Sequence, residues 1–314
     1  MEEKQDCQCD GDKGCNCESE KNGCNCDEEK AGCNCEDEKN DAHSGDSKKG
    51  IKKLTINNFS SVKNVIAIMS GKGGVGKSSV TSLLASGFRK RGFEVGVLDA
   101  DLTGPSVPKM FGIKGMAKGN DFGILASESS TGIKVMSINL LVPREDDPVI
   151  WRGPILANTV KQFWTDVIWG DLDYLFVDLP PGTGDVPLTV MQSIPLDGLV
   201  IVTSPQELAV MIVNKAIKMA KQLDIPILGL IENMSSAVCP KCGEEFQLFG
   251  PGHSKEISDR FCIPFLGSMP VDPFLAKLCD HGKVEEYYHN LFINFIPDRF
   301  VGSRKNQDKS DNER

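Results

Sequence analysis

Near residue 70 the chain contains a glycine-rich loop whose residue types and spacing are suited to binding phosphate. The loop fits the pattern G-x-x-x-x-G-K-[ST] in full, reading Gly71-Lys72-Gly73-Gly74-Val75-Gly76-Lys77-Ser78. Its glycines allow backbone N–H groups to surround phosphate oxygens, and the dipole of a following helix favours the same anions. In this pattern Lys77 reaches the β- and γ-phosphates and the Ser78 hydroxyl binds Mg²⁺. The sequence therefore predicts a site for ATP and Mg²⁺, with Ser79 as a further nucleotide contact.

Carboxylates at the ends of two later apolar runs are candidates for the Mg²⁺ shell and for catalysis. Asp99 and Asp101 end one run, and Asp178 ends the other. Because the carboxyl ends of strands line the ligand crevice of an open α/β sheet, these side chains should face the nucleotide. We expect Asp178 to hold Mg²⁺ through water, Asp101 to orient the attacking water, and Asp99 to lie beside the nucleotide. The alternative is that these carboxylates only cap helices or turns.

A second chemical motif is the pair Cys239 and Cys242, which forms a C-x-x-C knuckle. Two thiolates at this spacing can bind one metal centre from a tight turn. A closed site needs four ligands, so a pair in each chain suggests that two chains complete the site. The spacing alone leaves open an iron–sulfur site, a zinc knuckle completed by Cys262 or His253, and a redox pair. Cys262 and Cys279 lie in apolar surroundings and are expected to be buried.

The first 50 residues differ in composition from the rest. They hold 15 acidic and 7 basic residues, and so account for −8 of the net charge of −9. Four C-x-C pairs recur there every eight or nine residues: Cys7, Cys9, Cys15, Cys17, Cys24, Cys26, Cys33 and Cys35. Few residues there can be buried, so residues 1–50 are expected to form a tail that is disordered when no metal is bound. Thiolates suit zinc, copper(I) or iron, although a tail without a binding role is the alternative.

The remaining chain alternates apolar strands with helices, which predicts an α/β fold with a doubly wound, mostly parallel sheet and helices on both faces. The expected domain spans residues 51–302, and residues 303–314 are expected to be a disordered polar tail. The predicted strands are Val65–Met69, Val95–Asp99, Tyr174–Asp178, Leu199–Thr203 and Ile227–Asn233. The predicted helices are Ser78–Lys90, Ile155–Ile168 and Glu207–Gln222.

Besides Lys77, the loop contains Lys72, directly after its first glycine. This additional lysine makes the sequence resemble the deviant Walker-A ATPases, which include MinD, ParA, nitrogenase iron protein and arsenite ATPase. In that superfamily, of the SIMIBI type of P-loop NTPase, this lysine reaches across a dimer interface to the partner's nucleotide. The resemblance implies a homodimer in which Lys72 takes part in catalysis with Lys77 and Asp101. A solvated surface lysine is the alternative.

A closer resemblance, over roughly residues 60–295, is to the Mrp/ApbC family of iron–sulfur cluster carrier ATPases. Besides the cysteine knuckle and the phosphate loop, the segments that carry it are Asp99–Ser106, Trp151–Pro154, Asp178–Asp185, Ser204–Glu207, Ile231–Ser235 and Pro270–Pro273. It implies a cytoplasmic homodimer that holds a labile [4Fe-4S] cluster between two C-x-x-C pairs. Scaffold proteins would donate the cluster and apo-proteins would receive it, under the control of slow ATP hydrolysis. It also places Asn233, Pro270 and Asp272 beside the adenine.

Three other functions remain open from the sequence. A MinD/ParA-like positioning ATPase would act on a membrane or DNA, but residues 51–314 carry a net charge of only −1, which does not favour nucleic acid. No run of about 18 apolar residues predicts a membrane span. A metal-storage or metal-insertion ATPase could use the cysteine-rich tail as its reservoir. Electron transfer, as in nitrogenase iron protein, would need a stable, reducible cluster.

Overall fold

Apolar runs rich in Val, Ile and Leu form the central strands of one large sheet in a computed structural model of the chain. The structure describes residues 53–102, 104–142 and 153–287, except the side chains at 153–154 and 207–210. Its strands are β1 (Ser60–Ser70), β2 (Val95–Asp99), β3 (Gly119–Asn120), β4 (Gly123–Leu125), β5 (Ser127–Glu128), β6 (Lys134–Met136), β7 (Val167–Ile168), β8 (Gly170–Asp178), β9 (Gly198–Thr203), β10 (Ile227–Val238), β11 (Glu245–Phe246) and β12 (Phe265–Val271).

Seven α-helices lie in the described part of the chain. They are α1 (Lys77–Lys90), α2 (Val107–Met110), α3 (Gly153–Thr165), α4 (Asp185–Ser193), α5 (Glu207–Gln222), α6 (Ser254–Phe261) and α7 (Pro273–Asp280). Short 3₁₀ helices cover Ile138–Leu140 and Val284–Glu286. None of the helices in this described part is long and apolar enough to cross a membrane.

The large sheet is mostly parallel, with strand order β11-β10-β9-β1-β8-β2-β6-β5 and with β12 also paired to β10. The pairs β1–β8, β1–β9, β9–β10, β10–β12, β2–β8 and β2–β6 are parallel, whereas β5–β6 and β10–β11 are antiparallel. Parallel strands have their carboxyl ends at one edge, so β1, β2, β8 and β10 present the segments that follow them together. A small sheet, β3-β4-β7, lies outside this arrangement.

Helices cover both faces of the sheet, which confirms the doubly wound α/β prediction. Helices α1, α2 and α7 pack on one face through residues such as Leu84, Phe88 and Leu278. Helices α3, α4, α5 and α6 pack on the other, with Phe163 and Ile217 among their buried residues. The strands are apolar on both sides because each side is covered.

Most predicted elements are present, but the helix expected at Ile155–Ile168 is wrong at its end. Helix α3 stops at Thr165, and the next residues form strand β7, which pairs with β4. Val167 and Ile168 are β-branched, a residue type that favours strands over helices. The predicted tails, residues 1–50 and 303–314, lie outside the described residues.

The two cysteines predicted to be buried behave differently. Cys279, on α7, is buried, as expected. The expectation for Cys262 is wrong, because its side chain is exposed. Cys262 terminates α6 in a left-handed backbone conformation, with φ of 52°, and so ends the helix instead of packing beneath it.

Candidate nucleotide and cysteine sites

The phosphate loop joins the buried strand β1 to helix α1, which begins at Lys77. Gly76 has φ of 77°, in the left-handed region that favours glycine. A Cβ atom at Gly76 would also collide with the side-chain amide of Asn233, on β10. This glycine is therefore required both by the turn of the loop and by the close approach of a neighbouring strand.

Behind the loop, the Asp178 carboxylate contacts three side chains of α1. Its Oδ2 atom lies 2.7 Å from the Lys77 Nζ atom and accepts a hydrogen bond of 2.5 Å from the Ser78 hydroxyl. Its Oδ1 atom accepts a hydrogen bond of 2.7 Å from Thr81. Asp178 is fully buried at the end of β8, so these bonds and the lysine charge compensate for its loss of water.

Asp99 ends the neighbouring strand β2 and is the direct partner of Asp178 in the sheet. It is also fully buried and accepts a hydrogen bond of 3.1 Å from Ser137. Burial, together with the charge of Asp178, raises the pKa of Asp99 to about 8. Asp101, two residues on, is more open, with its Oδ2 atom 3.9 Å from the Lys77 Nζ atom.

A cavity of about 200 Å³ lies beside the loop at the carboxyl edge of the sheet. Its lining includes Gly73, Gly74, Lys77, Ser78 and Asp101. Backbone N–H groups, one ammonium and a hydroxyl suit phosphate oxygens, and the neighbouring hydroxyl and carboxylate oxygens of Ser78 and Asp178 suit Mg²⁺. The groups at this cavity therefore suit the phosphates of a nucleotide together with Mg²⁺. Ser79 also lines this cavity.

Lys72 lies on the exposed side of the loop, away from the lysine that meets Asp178. Its Nζ atom donates a hydrogen bond of 2.6 Å to the Gln206 Oε1 atom, just before α5. Gly71 packs directly on Ile212 of α5, because a Cβ there would overlap the isoleucine side chain. Helix α5 and Gln206 therefore contact the start of the loop, at Gly71 and Lys72.

The cysteine pair lies in the turn between β10 and β11. Backbone hydrogen bonds of 2.9 Å join the Cys239 N–H to the Glu244 carbonyl and the Gly243 N–H to the Cys239 carbonyl. Cys242 is exposed and Cys239 is partly exposed. Hydrogen bonds from the Cys242 and Lys241 backbones lower the pKa of Cys239, which favours the thiolate that metals require.

Among the described residues, Cys239 and Cys242 lack nearby side chains that would complete a metal site. In the part of the chain that the structure describes, no group of three or more His, Cys, Asp or Glu side chains could hold a metal ion. This argues against a zinc site completed by the described Cys262 or His253. Cys242 is exposed and Cys239 partly exposed, so the pair is accessible to ligands from outside the described residues.

The three residues expected beside the adenine have different surroundings. Asn233 contacts the phosphate loop, where its Nδ2 atom donates a hydrogen bond of 2.8 Å to the Val75 carbonyl. Asp272 begins α7 by accepting a hydrogen bond from the Phe274 N–H, and also accepts one from Tyr287. Pro270 lies in β12. Only Asn233 of these three has a described contact with the loop.

The structure thus brings Lys77, Ser78, Asp99, Asp101 and Asp178 together, and leaves the cysteine pair on a separate hairpin. Sequence reasoning missed Thr81, Ser137 and Gln206. Thr81 could have been found, because it lies one helical turn after Lys77 on the same side of α1. No local pattern indicates that Ser137 would meet Asp99 or that Gln206 would meet Lys72, since both contacts depend on the packed fold.

The fold and the phosphate site together define a P-loop NTPase. A family model described as ParA, NUBPL iron-transfer P-loop NTPase, matches residues 61–293. The chain belongs to this family.

Several relatives carry names that specify a function. An iron–sulfur cluster carrier protein of Methanocaldococcus jannaschii is 49% identical over 227 residues, which cover 72% of this chain and 78% of the relative. The cytosolic Fe-S cluster assembly factor CFD1 of Saccharomyces cerevisiae is 42% identical over 228 residues, covering 70% of this chain and 78% of the yeast protein.

Solved structures agree with the fold. A nucleotide-binding protein from Archaeoglobus fulgidus, solved in complex with ADP and with Co, has a TM-score of 0.67 and 47% identity, covering 74% of this chain and 92% of that chain. The cell division ATPase MinD of Pyrococcus furiosus has a TM-score of 0.52 at 20% identity, covering 72% of this chain and 91% of that chain. The likeness to MinD shows the fold alone.

Proposed function

We propose that this chain is an ATP-dependent iron–sulfur cluster carrier that holds a labile [4Fe-4S] cluster between two protomers and transfers it to apo-proteins. The observation that carries the proposal is the position of the cysteine pair. The pair follows the same strand, β10, whose Asn233 contacts the phosphate loop. A nucleotide site and a half-complete thiolate site therefore share one structural element. The names of the relatives from M. jannaschii and S. cerevisiae agree with this function.

At the phosphate site, each described residue has a distinct task. The loop N–H groups and the Lys77 ammonium bind and orient the phosphates, and Asp101 lies close enough to Lys77 to orient the attacking water. Ser78 and Asp178 would hold Mg²⁺, the aspartate through water; when bound, the ion neutralises phosphate charge. Lys72 is exposed, so it is available to the nucleotide of a second protomer once it leaves Gln206. We infer that hydrolysis is slow and is coupled to cluster transfer.

The cluster is cargo in this proposal, and the exposed cysteine turn suits that role. Cys239 and Cys242 supply two thiolates, and the same pair from a second protomer supplies the other two that a four-cysteine cluster needs. A cluster at such an interface is reachable by a scaffold protein that donates it and by an apo-protein that receives it. We propose a cytoplasmic location, without a membrane or nucleic-acid partner.

The first test measures iron, acid-labile sulfide, zinc and copper in the anaerobically purified full-length protein. The same quantities are measured in the comparison variant Cys239→Ser with Cys242→Ser, which keeps residues 1–50 and their cysteines. We expect the variant to lose about four iron and four sulfide per dimer relative to the parent chain, whatever the tail binds. A visible spectrum of each protein would identify the cluster lost.

Equal iron and sulfide in the two proteins would refute the assignment of the cluster to Cys239 and Cys242. Zinc or copper without sulfide, even after anaerobic reconstitution, would instead favour a metal-storage or metal-insertion ATPase. Nothing in the described residues favours a MinD/ParA-like positioning role beyond the shared fold. ATP-dependent co-sedimentation with lipid vesicles or DNA would nevertheless reveal one.

A further inference from the structure

We propose that Asn233 couples the phosphate loop to the cysteine turn, so that nucleotide binding changes the reactivity of Cys239 and Cys242. This inference rests on the proposed function, because it assigns a means of control to the same two sites. Asn233 is a positioning residue: it acts through the loop backbone and through the strand that leads to the cysteines.

The first step is the hydrogen bond by which Asn233 holds the loop backbone. Its Nδ2 atom donates to the Val75 carbonyl at 2.8 Å, and its side chain is buried against Gly76. The Val75 carbonyl and the Gly76 N–H belong to one planar trans peptide, so they point in opposite directions. By holding the carbonyl on the outside of the loop, Asn233 directs the Gly76 N–H towards the side where phosphate binds.

The second step is the link from the same side chain to the cysteine arm, the segment of β10 from Met234 to Val238 that leads into the cysteine turn. The Asn233 Oδ1 atom accepts a hydrogen bond of 2.9 Å from the Met234 N–H. One amide group therefore bridges the loop and the next peptide of β10. These two bonds also fix the orientation of the amide, because a flipped amide would place two oxygens together and two N–H donors together.

The third step is a bend in β10 at which the arm can change position. Met234 has φ of 61°, a left-handed conformation that is unfavourable for a side chain of its size. The pairing of β10 with β12 is irregular between Asn233 and Ala237. The bend therefore comes immediately after the residue that holds the loop.

Beyond the bend, the arm is tied firmly to its neighbours up to the cysteines. The Ser235 hydroxyl bonds to the Met269 carbonyl at 3.0 Å, and Ala237 and Val238 pair with β11. The Cys239 N–H then bonds to Glu244. The Ser235 bond and the pairing of Ala237 with Val271 tie the arm to β12, which also pairs with β10 before Asn233. In this proposal a rotation at Met234 shifts the arm, β11 and the cysteine turn together and strains these two ties to β12. The two positions of the arm are then the two states that such coupling requires.

The experiment compares Asn233→Ala with Ser235→Ala in the full-length, reduced, cluster-free protein. Ser235→Ala removes one side-chain hydrogen bond from β10, whereas Asn233→Ala removes two, and only Asn233→Ala removes the bond to the loop. Iodoacetamide labelling of the peptide that contains Cys239 and Cys242 is followed by mass spectrometry, with and without saturating Mg-ADP. We expect nucleotide to change the labelling rate about fivefold or more in the parent chain and in Ser235→Ala. The change should be lost in Asn233→Ala.

A second measurement needs no nucleotide and so covers the case in which Asn233→Ala binds ADP poorly. Because coupling is reciprocal, Zn²⁺ on the cysteine pair should change the hydrogen exchange of the loop peptide that contains Val75 and Gly76. The variant Cys239→Ser with Cys242→Ser identifies the part of any change that comes from other cysteines. We expect the pair-dependent change in the parent chain and in Ser235→Ala, and none in Asn233→Ala.

An Asn233→Ala protein whose loop responds to Zn²⁺ as the parent does, or a parent that responds to neither ligand, would overturn the coupling. Neither measurement involves iron, sulfide or turnover. Failure of the coupling would therefore leave the carrier function standing, whereas failure of the iron and sulfide test would remove that function without deciding whether the two sites communicate.

Discussion

The phosphate loop and the cysteine turn lie on connected elements but are built in opposite ways. The loop rests on buried groups: Lys77 and Asp178 are almost fully enclosed and are held by several hydrogen bonds. The turn that carries Cys239 and Cys242 projects from the end of β10 and is closed by backbone bonds. The enclosed loop suits a small soluble ligand, whereas the exposed turn suits the proposed cargo, which must be reached by donors and recipients.

If the loop is preformed for phosphate, the largest effect should come from Lys77→Ala, and it should appear in ATP turnover. The substitution removes the ammonium that we propose binds the transferred phosphate, and we expect ATP turnover to fall by about 10²–10³-fold. Phosphate release from Mg-ATP measures this, with Lys114→Ala as the control, since Lys114 is exposed and lies outside the loop. Turnover equal to that of the control would contradict the assigned role.

The second contrast is between an exposed and a buried thiol. The pKa of Cys239 is lowered by backbone hydrogen bonds, whereas burial raises the pKa of Cys279. Below its pKa a thiol gains thiolate with each rise in pH, so Cys239 should reach its full alkylation rate at a lower pH than Cys279. We expect iodoacetamide to modify Cys239 about tenfold faster or more near pH 7.5.

Peptide mass spectrometry over a pH series from about 6 to 10 would test this difference, with the protein in urea as the control. Unfolding removes both environments, so the two rates should converge. Equal alkylation rates in the folded protein, or a faster rate at Cys279, would show that Cys239 is not the more reactive of these two thiols.

The sequence was informative where chemistry depends on local spacing. The loop motif, the strand that ends at Asp178 and the C-x-x-C pair are contiguous patterns, and each one predicted its element. The partners of these groups were not predictable in the same way. Ser137 meets Asp99 and Gln206 meets Lys72 only because separate elements pack together. The end of α3 was also missed, because the pairing of β7 with β4 decided it.

A smaller effect should come from Thr81→Val, which removes the hydroxyl that binds the buried Asp178 carboxylate. We expect the free energy of unfolding to fall by about 1–3 kcal/mol, because a buried charge loses a donor. Thr159→Val is the matched control: both hydroxyls bond to the carbonyl four residues earlier, but only Thr81 also reaches a carboxylate. Urea denaturation with EDTA measures both, and equal losses would show that the loop does not depend on this bond.

The smallest effect should come from replacing both Cys239 and Cys242 by alanine in the cluster-free protein. Their side chains are not part of the apolar core, and the turn is closed by backbone atoms that the substitution leaves intact. We expect the free energy of unfolding to change by about 0.5 kcal/mol or less. Cys279→Ala provides the contrast, since it leaves a cavity in the core and should cost more than the double substitution. A large loss from the double substitution would mean that the turn also supports the fold, and the distinction between a preformed loop and an accessible turn would fail.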